Sequence, residues 1–280
     1  MWRLTERLFG ISLLFLVPLC SAQKCSSRFA GNESLCQLEN KARTGDPEAQ
    51  YQLGLDFDKA IGVERDCQAA ADWYQKSANH AQPAAQNNLG VLYATGCGVT
   101  QSDVEAVRWY MRSASAGFAM AQNNLGYAYE IGRGVKQSDE AAVHWYREAA
   151  DRHFAPALAN LASHYMSGRG VERNQAEAAQ LERQAAEQGF PAAEAAVGEM
   201  YLTGWQVEKN PSTAVYWLRR ASEHGSVPAQ NALGELHEQG VGVPQDRSEA
   251  RRWYQKAAAA GSLVAQKNLD RLQTLIAAGQ

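Results

Sequence analysis

AQNNLGVLYATGCGV (85–99) and AQNNLGYAYEIGRGV (121–135) stand thirty-six residues apart and agree at ten of fifteen positions, every glycine included. Stepping outward by the same interval gives Ala49, Ala85, Ala121, Ala157, Ala193, Ala229 and Ala265. Four residues after each comes Leu53, Leu89, Leu125, Leu161, Val197, Leu233 or Leu269, and Gly54, Gly90, Gly126, Ala162, Gly198 and Gly234 follow directly. An aromatic closes the set at Phe57, Tyr93, Tyr129, Tyr165 and Tyr201. Later in each unit stand Ala70, Ala106, Ala142, Ala178, Ala214 and Ala250, then Trp73, Trp109, Trp145, Trp217 and Trp253. Self-similarity at a fixed period with no insertion is the signature of a repeat architecture.

Each part of the unit has a physical task. Alanine, leucine and aromatic at relative positions 1, 5 and 9 fall on one stripe of a helix. The glycine beside the leucine lets a neighbouring helix approach closely. Turns such as Gly132-Arg133-Gly134-Val135 and Gly168-Arg169-Gly170-Val171 supply the positive φ that ends a helix. A second helix then starts at capping residues, as in Ser102 with Glu105 and Asn174 with Glu177. Ala142, Trp145 and Ala149 represent its expected apolar face, and Pro47, Pro83, Pro156, Pro191 and Pro228 sit at the entry to the next first helix. One hairpin cannot bury both faces alone, so neighbours must stack. The expected fold class is all-α, an α-solenoid of six 36-residue helix-turn-helix repeats (49–84, 85–120, 121–156, 157–192, 193–228 and 229–264). Half-repeat caps flank them, an N-terminal segment and capping helix over 23–48 and a capping helix over 265–280, making fourteen helices.

Residues 1–22 read as an export signal. Arg3 and Arg7 give a positive start, Leu8 to Val17 an apolar run of ten, and Cys20-Ser21-Ala22 a small-residue cleavage site. Ten helical residues cover about 15 Å, half of a bilayer core, so the segment cannot span. Lipidation of Cys20 is disfavoured by Pro18 and Leu19, where small residues are wanted. Removing the signal takes away one net positive charge, so the formal −3 becomes −4. With no basic stripe, that composition argues against nucleic acid. Four cysteines would remain, an even number suited to an oxidising compartment. Of the three pairings they allow, the repeat favours Cys67–Cys97, on the same edge of adjacent units, and Cys25–Cys36, which would pin the N-terminus. No C-x2-C spacing supports a metal, and a periplasmic or secreted location follows.

These residues resemble the Sel-one-like repeat family, relatives of tetratricopeptide repeats, through A-x3-L-G-x2-Y-x2-G-x-G-V and A-x2-W-Y-x2-A-A-x2-G over about 49–277. The resemblance implies a right-handed superhelix whose concave surface, lined by first helices, binds other proteins. It also implies a set of exported roles: assembly scaffold, host-protein binder, or immunity protein against a secreted enzyme such as a phospholipase effector.

No catalytic constellation emerges. His237-Glu238 opens like H-E-x-x-H, but Val241 stands where the second histidine belongs, and the glycine turns lack the strand and Lys-Ser/Thr of a phosphate loop. Some family members are β-lactamase-like, yet S-x-x-K occurs once, at Ser21 to Lys24 across the expected cleavage point. The histidines (80, 144, 153, 164, 224 and 237) are scattered, and Asn32-Glu33-Ser34 is a lone glycosylation sequon. The expected activity is therefore non-enzymatic gripping of another protein, without cofactor or metal; a β-lactam hydrolase is the alternative. Positions 4, 7, 8 and 10 or 11 of the first helices are those the repeat leaves free. They nominate Gln52, Asn88, Asn124 and Asn160 as a polar ladder, which on its structural reading satisfies backbone groups between helices. They also nominate Tyr127, Glu130, His164, Glu199, Met200, Glu235 and Glu238. Three departures stand out: Trp205-Gln206 in the fifth turn, Leu181-Glu182 with Ala162 in the fourth unit, and His237 in place of an aromatic.

Overall fold

The computed structural model describes residues 25–29 and 31–277; the expected export signal, Cys20 included, lies outside the described residues. Among those residues there are fourteen α-helices and no strand. After a short 3-10 turn, Ser27–Phe29, comes the cap α1 (Glu33–Arg43). Six hairpins follow: α2 (Pro47–Lys59) with α3 (Cys67–Asn79), α4 (Pro83–Thr95) with α5 (Asp103–Ser115), and α6 (Ala119–Ile131) with α7 (Asp139–Ala150). The others are α8 (Ala155–Ser167) with α9 (Gln175–Glu187), α10 (Pro191–Thr203) with α11 (Pro211–Glu223), and α12 (Val227–Gln239) with α13 (Arg247–Ala259). The C-terminal cap is α14 (Leu263–Ala277). Extensive helix packing is between sequence neighbours, as stacking of incomplete units requires. None of the helices is long and apolar enough to cross a membrane.

The first helices bury the predicted stripe. Leu53, Leu89, Leu125 and Leu233 have no exposed surface, each stabilising the stack by about 1.5–3 kcal/mol. Aspartate, glutamine and serine caps begin α2, α4 and α12, whereas Phe118, Phe154 and Phe190 stand at the cap of α6, α8 and α10 without a side-chain hydrogen bond.

The second helices correct one expectation. The side chain pressed into the hairpin is the tyrosine after the tryptophan: Tyr74, Tyr146 and Tyr254 are fully buried, while Trp73, Trp145 and Trp253 remain partly exposed. Trp109 is the exception and is buried along with Tyr110. Four of these tryptophans lie under cations one turn on: Lys76 over Trp73 at 3.9 Å, Arg112 over Trp109 at 4.4 Å, Arg220 over Trp217 at 4.9 Å and Lys256 over Trp253 at 5.2 Å. Each buried ring faces the glycine at position 6. A Cβ at Gly126 would lie 2.8 Å from the Tyr146 ring, and one at Gly234 2.5 Å from that of Tyr254. The glycine and the ring are thus two halves of one contact. Overpacking a core costs about 1–3 kcal/mol, so Gly234→Ala is expected to lower unfolding stability by that amount in urea. Combined with Tyr254→Ala it should cost less than the two single changes together. Strict additivity would show that the ring does not set the size of residue 234.

The second glycine of the turn answers a different demand. In Gly134 (φ +75°), a Cβ would sit 2.2 Å from the carbonyl oxygen of Asp103, the first residue of α5. The second, third, fourth and sixth turns rest in this way directly on the start of the preceding second helix. The fifth turn departs from this, carrying Gln206 at φ 55°. The disulfides follow the same geometry. Cys97 lies in the turn after α4 and Cys67 opens α3; they are bonded with Cα atoms 5.3 Å apart, and Cys25 is bonded to Cys36 at the same separation.

Candidate protein-binding face

Successive first helices lie side by side, and hydrogen bonds cross between them. Asn124 donates to the Asn87 side-chain oxygen on the helix before (2.9 Å), Asn160 to Asn123 (2.9 Å), and Asn268 to Asn231 (3.0 Å). The polar ladder thus joins side-chain amides across neighbours, rather than capping backbone groups. Asn88 instead donates to the Tyr74 hydroxyl at 3.1 Å and accepts from Asn87. Gln52 donates to Asp56 on its own helix.

Several nominated residues are taken up by the stack. Glu130 accepts from Tyr146 Oη at 2.7 Å and from Arg169 at 2.6 Å, the arginine reaching across from the next turn. Burial pushes its carboxyl up, but these two donors outweigh that and leave it below the usual carboxylate range. Glu238 repeats the motif at the far end, receiving both nitrogens of the Arg271 fork (2.6 and 2.7 Å) and the Tyr254 hydroxyl. The Arg271 guanidinium holds Glu238 below its ordinary range. Position 8, expected to be free, is buried throughout: Asp56, Leu92, Ala128, His164, Met200 and Leu236 are all shielded. His164 has no exposed surface, its Nδ1 lies 2.8 Å from the Arg169 carbonyl, and its Nε2 lies 3.6 Å from Glu130. Neighbouring hairpins close over that position whatever its chemistry, so His164 and Met200 do not face solvent.

What the row of first helices does expose is apolar and acidic. Val91 and Tyr127 at position 7, Met166 at position 10 and Ile131 at position 11 are open large hydrophobic side chains. Glu199 is exposed, and Glu235 is half-buried, accepting from Asn231 and Asn268. Between the last two, alanines replace the ladder: Ala195, Ala196 and Ala232 line a trough of about 800 Å³ with Leu202, Glu199 and Glu235. It adjoins a second cavity of about 310 Å³ that shares Ala196 and Glu199 and is lined also by Met166, Glu182, Met200 and Trp205. Trp205 is partly buried and packs on the core rather than standing free.

Glu182 is the residue that sequence reasoning recorded only as a departure. It occupies the place of the buried tyrosine in the fourth hairpin, opposite Ala162 where other hairpins have glycine. An alanine Cβ leaves no room for a ring, so the two exceptions are one event. Glu182 is 9% exposed, and its Oε2 has no hydrogen-bond partner. Burial pushes its carboxyl up to about 7. No group of three or more His, Cys, Asp or Glu among the described residues is arranged to hold a metal ion.

The Sel1 repeat family model matches residues 47–81, 83–118, 119–154, 155–190, 191–226 and 227–262. No curated protein matches the chain. Among solved structures it is similar to a Sel1 repeat protein from Oxalobacter formigenes, with 30% identity and a TM-score of 0.75 over 81% of this chain and 99% of that one. It is also similar to a protective antigen present in uropathogenic Escherichia coli strains and displaying an SLR fold, with 33% identity and a TM-score of 0.73. That alignment covers 86% of this chain but 52% of the antigen, so the chain spans about half of the antigen's length. An immunity protein from Pseudomonas aeruginosa shares the fold at 19% identity and a TM-score of 0.53, over 76% of this chain and 81% of that one. Six consecutive matched units, each folding into one of the stacked hairpins, make this chain a member of the Sel1 repeat family.

Proposed function

We propose that the chain works in the bacterial envelope by gripping a partner protein along the row of first helices, as an adaptor or inhibitor. The observation that carries this reading is the run of exposed Val91, Tyr127, Ile131 and Met166 at positions that the stack itself does not need. It continues into the alanine-floored trough between Glu199 and Glu235. Open aromatic and aliphatic side chains beside a concave floor are the materials of binding hot spots. The acidic edges suit a partner with basic features. The two disulfides support an oxidising compartment. An immunity role, in which the gripped partner is a secreted toxic enzyme, is the specific form of this reading.

The test is capture of a stoichiometric partner by tagged protein from envelope extracts, followed by calorimetry with the purified pair. Changing Tyr127→Ser, Glu199→Gln and Glu235→Gln together is expected to weaken binding at least thirty-fold, the equivalent of one hot spot of about 2 kcal/mol. A partner bound equally well by the triple variant would move the site to the opposite face. Enzyme activity of the partner that is unaffected at saturation would remove the inhibitor form while leaving the adaptor form.

A further inference from the structure

The cavity at Glu182 departs from the pattern of the hairpins before it. Its floor is Glu182, with Met200 almost wholly buried beside it at 3% exposure. Met166 and Glu199 are exposed at its rim, and Trp205 closes one side. Two of the lining residues are acidic and none is basic. In three other hairpins the corresponding tyrosine hydroxyl finds an acceptor or donor: Tyr146 on Glu130, Tyr254 on Glu238, Tyr74 from Asn88. Here the Oε2 of Glu182 has none, although buried carboxylates are ordinarily paired. The turn residue that fills the equivalent space in the two preceding hairpins is an arginine, Arg133 on Asp103 and Arg169 on Glu130. In the fifth turn it is Trp205, so among the described residues lining the cavity there is no cation.

We propose that this cavity is a socket for one lysine side chain of the partner protein, its ammonium on the Glu182 carboxylate and its methylenes between Met166, Met200 and Trp205. The inference rests on the protein-binding reading and names the chemistry that the partner presents. An aliphatic stem ending in a compact cation matches polarizable apolar walls above a buried carboxylate, and an indole at the side adds attraction for the charge. The ammonium has three donors to satisfy, which two carboxylates can meet. A guanidinium would bring five in a rigid fork and leave some buried without acceptors.

The probe is Nα-acetyl-lysine N-methylamide, titrated into ¹⁵N-labelled protein while following the Trp205 indole N–H resonance, assigned by Trp205→Phe. A saturable shift is expected, at least tenfold weaker for the norleucine and arginine counterparts and at least tenfold weaker in Glu182→Gln. No shift, an equal response to norleucine, tighter binding of arginine, or an unchanged response in Glu182→Gln would overturn the proposal. A captured partner should lose at least tenfold in affinity for the same variant. A partner held equally well by Glu182→Gln sinks the socket and leaves the binding face standing. A lysine response in a protein that captures no partner supports the socket and removes the wider reading.

Discussion

Glu182→Gln is expected to stabilise the protein by about 3 kcal/mol at pH 8 and to leave stability nearly unchanged at pH 4. The carboxyl of Glu182 titrates near 7 in the folded chain against 4.5 for an unburied glutamate, and burial is the cause. That difference of about 2.5 units, at 1.36 kcal/mol each, sets the magnitude. Below pH 4.5 the group is neutral in both the folded and unfolded states, and its contribution to stability is fully present. As the pH rises towards 7 the unfolded chain ionises freely while the folded chain resists, and stability is lost across that window. Glutamine is neutral throughout and keeps nearly the same shape, so the variant should not show the loss. For a chain of this size the gain corresponds to an unfolding midpoint about 6–12 °C higher at pH 8. Urea titrations of both proteins at the two pH values check it. Equal stability at pH 8 would mean that the carboxylate finds water or a cation in the folded state and is not desolvated. The sequence keeps an acid there against this cost, as strained or under-satisfied groups are kept at working sites.

Replacing Cys67 and Cys97 by serine is expected to lower stability by about 3–4 kcal/mol. The bond closes a 30-residue loop, and the chain-entropy estimate for that length gives about 3.6 kcal/mol. Its reach is local, because it fastens the start of α3 to the turn after α4, beside the place where Gly98 touches the Cys67 carbonyl. Amide exchange should therefore quicken first in α2 to α4, with α10 to α13 little affected. Chemical unfolding of the variant beside the oxidised native protein measures the total. A loss below 1 kcal/mol would show that packing alone fixes this junction. The Cys25–Cys36 bond spans 11 residues and its removal should cost less.

The stack was legible because its alanines, leucines and glycines recur at one interval and each has one steric task. The recurrence alone does not separate the inner aromatic, because Trp145 and Tyr146 are adjacent and both are large. The spacing Ala142, Tyr146, Ala150 follows the i, i+4, i+8 stripe and would have chosen the tyrosine. Position 8 looked free because it holds aspartate, leucine, alanine, histidine and methionine in different hairpins; its burial comes from the neighbouring unit, which no single helix pattern reveals. Ala162 and Glu182 were visible as separate oddities twenty residues apart. Only the fold shows that their two positions form one contact, as Gly126 and Tyr146 do in the hairpin before, and that Glu182 lines a cavity.

The asparagine rungs join α4 to α6, α6 to α8 and α12 to α14; they are missing between α2 and α4, where Tyr51 stands in place of the asparagine, and on both sides of α10, where Ala195 and Ala196 offer no amide. Sideways load on the row is there borne by apolar contact without those directional ties. α10 is thus the inner rod without such ties on either side, and it lies beside both cavities. A guest of ill-matched contour is therefore expected to bend the row there before it bends the tied stretch from α4 to α8.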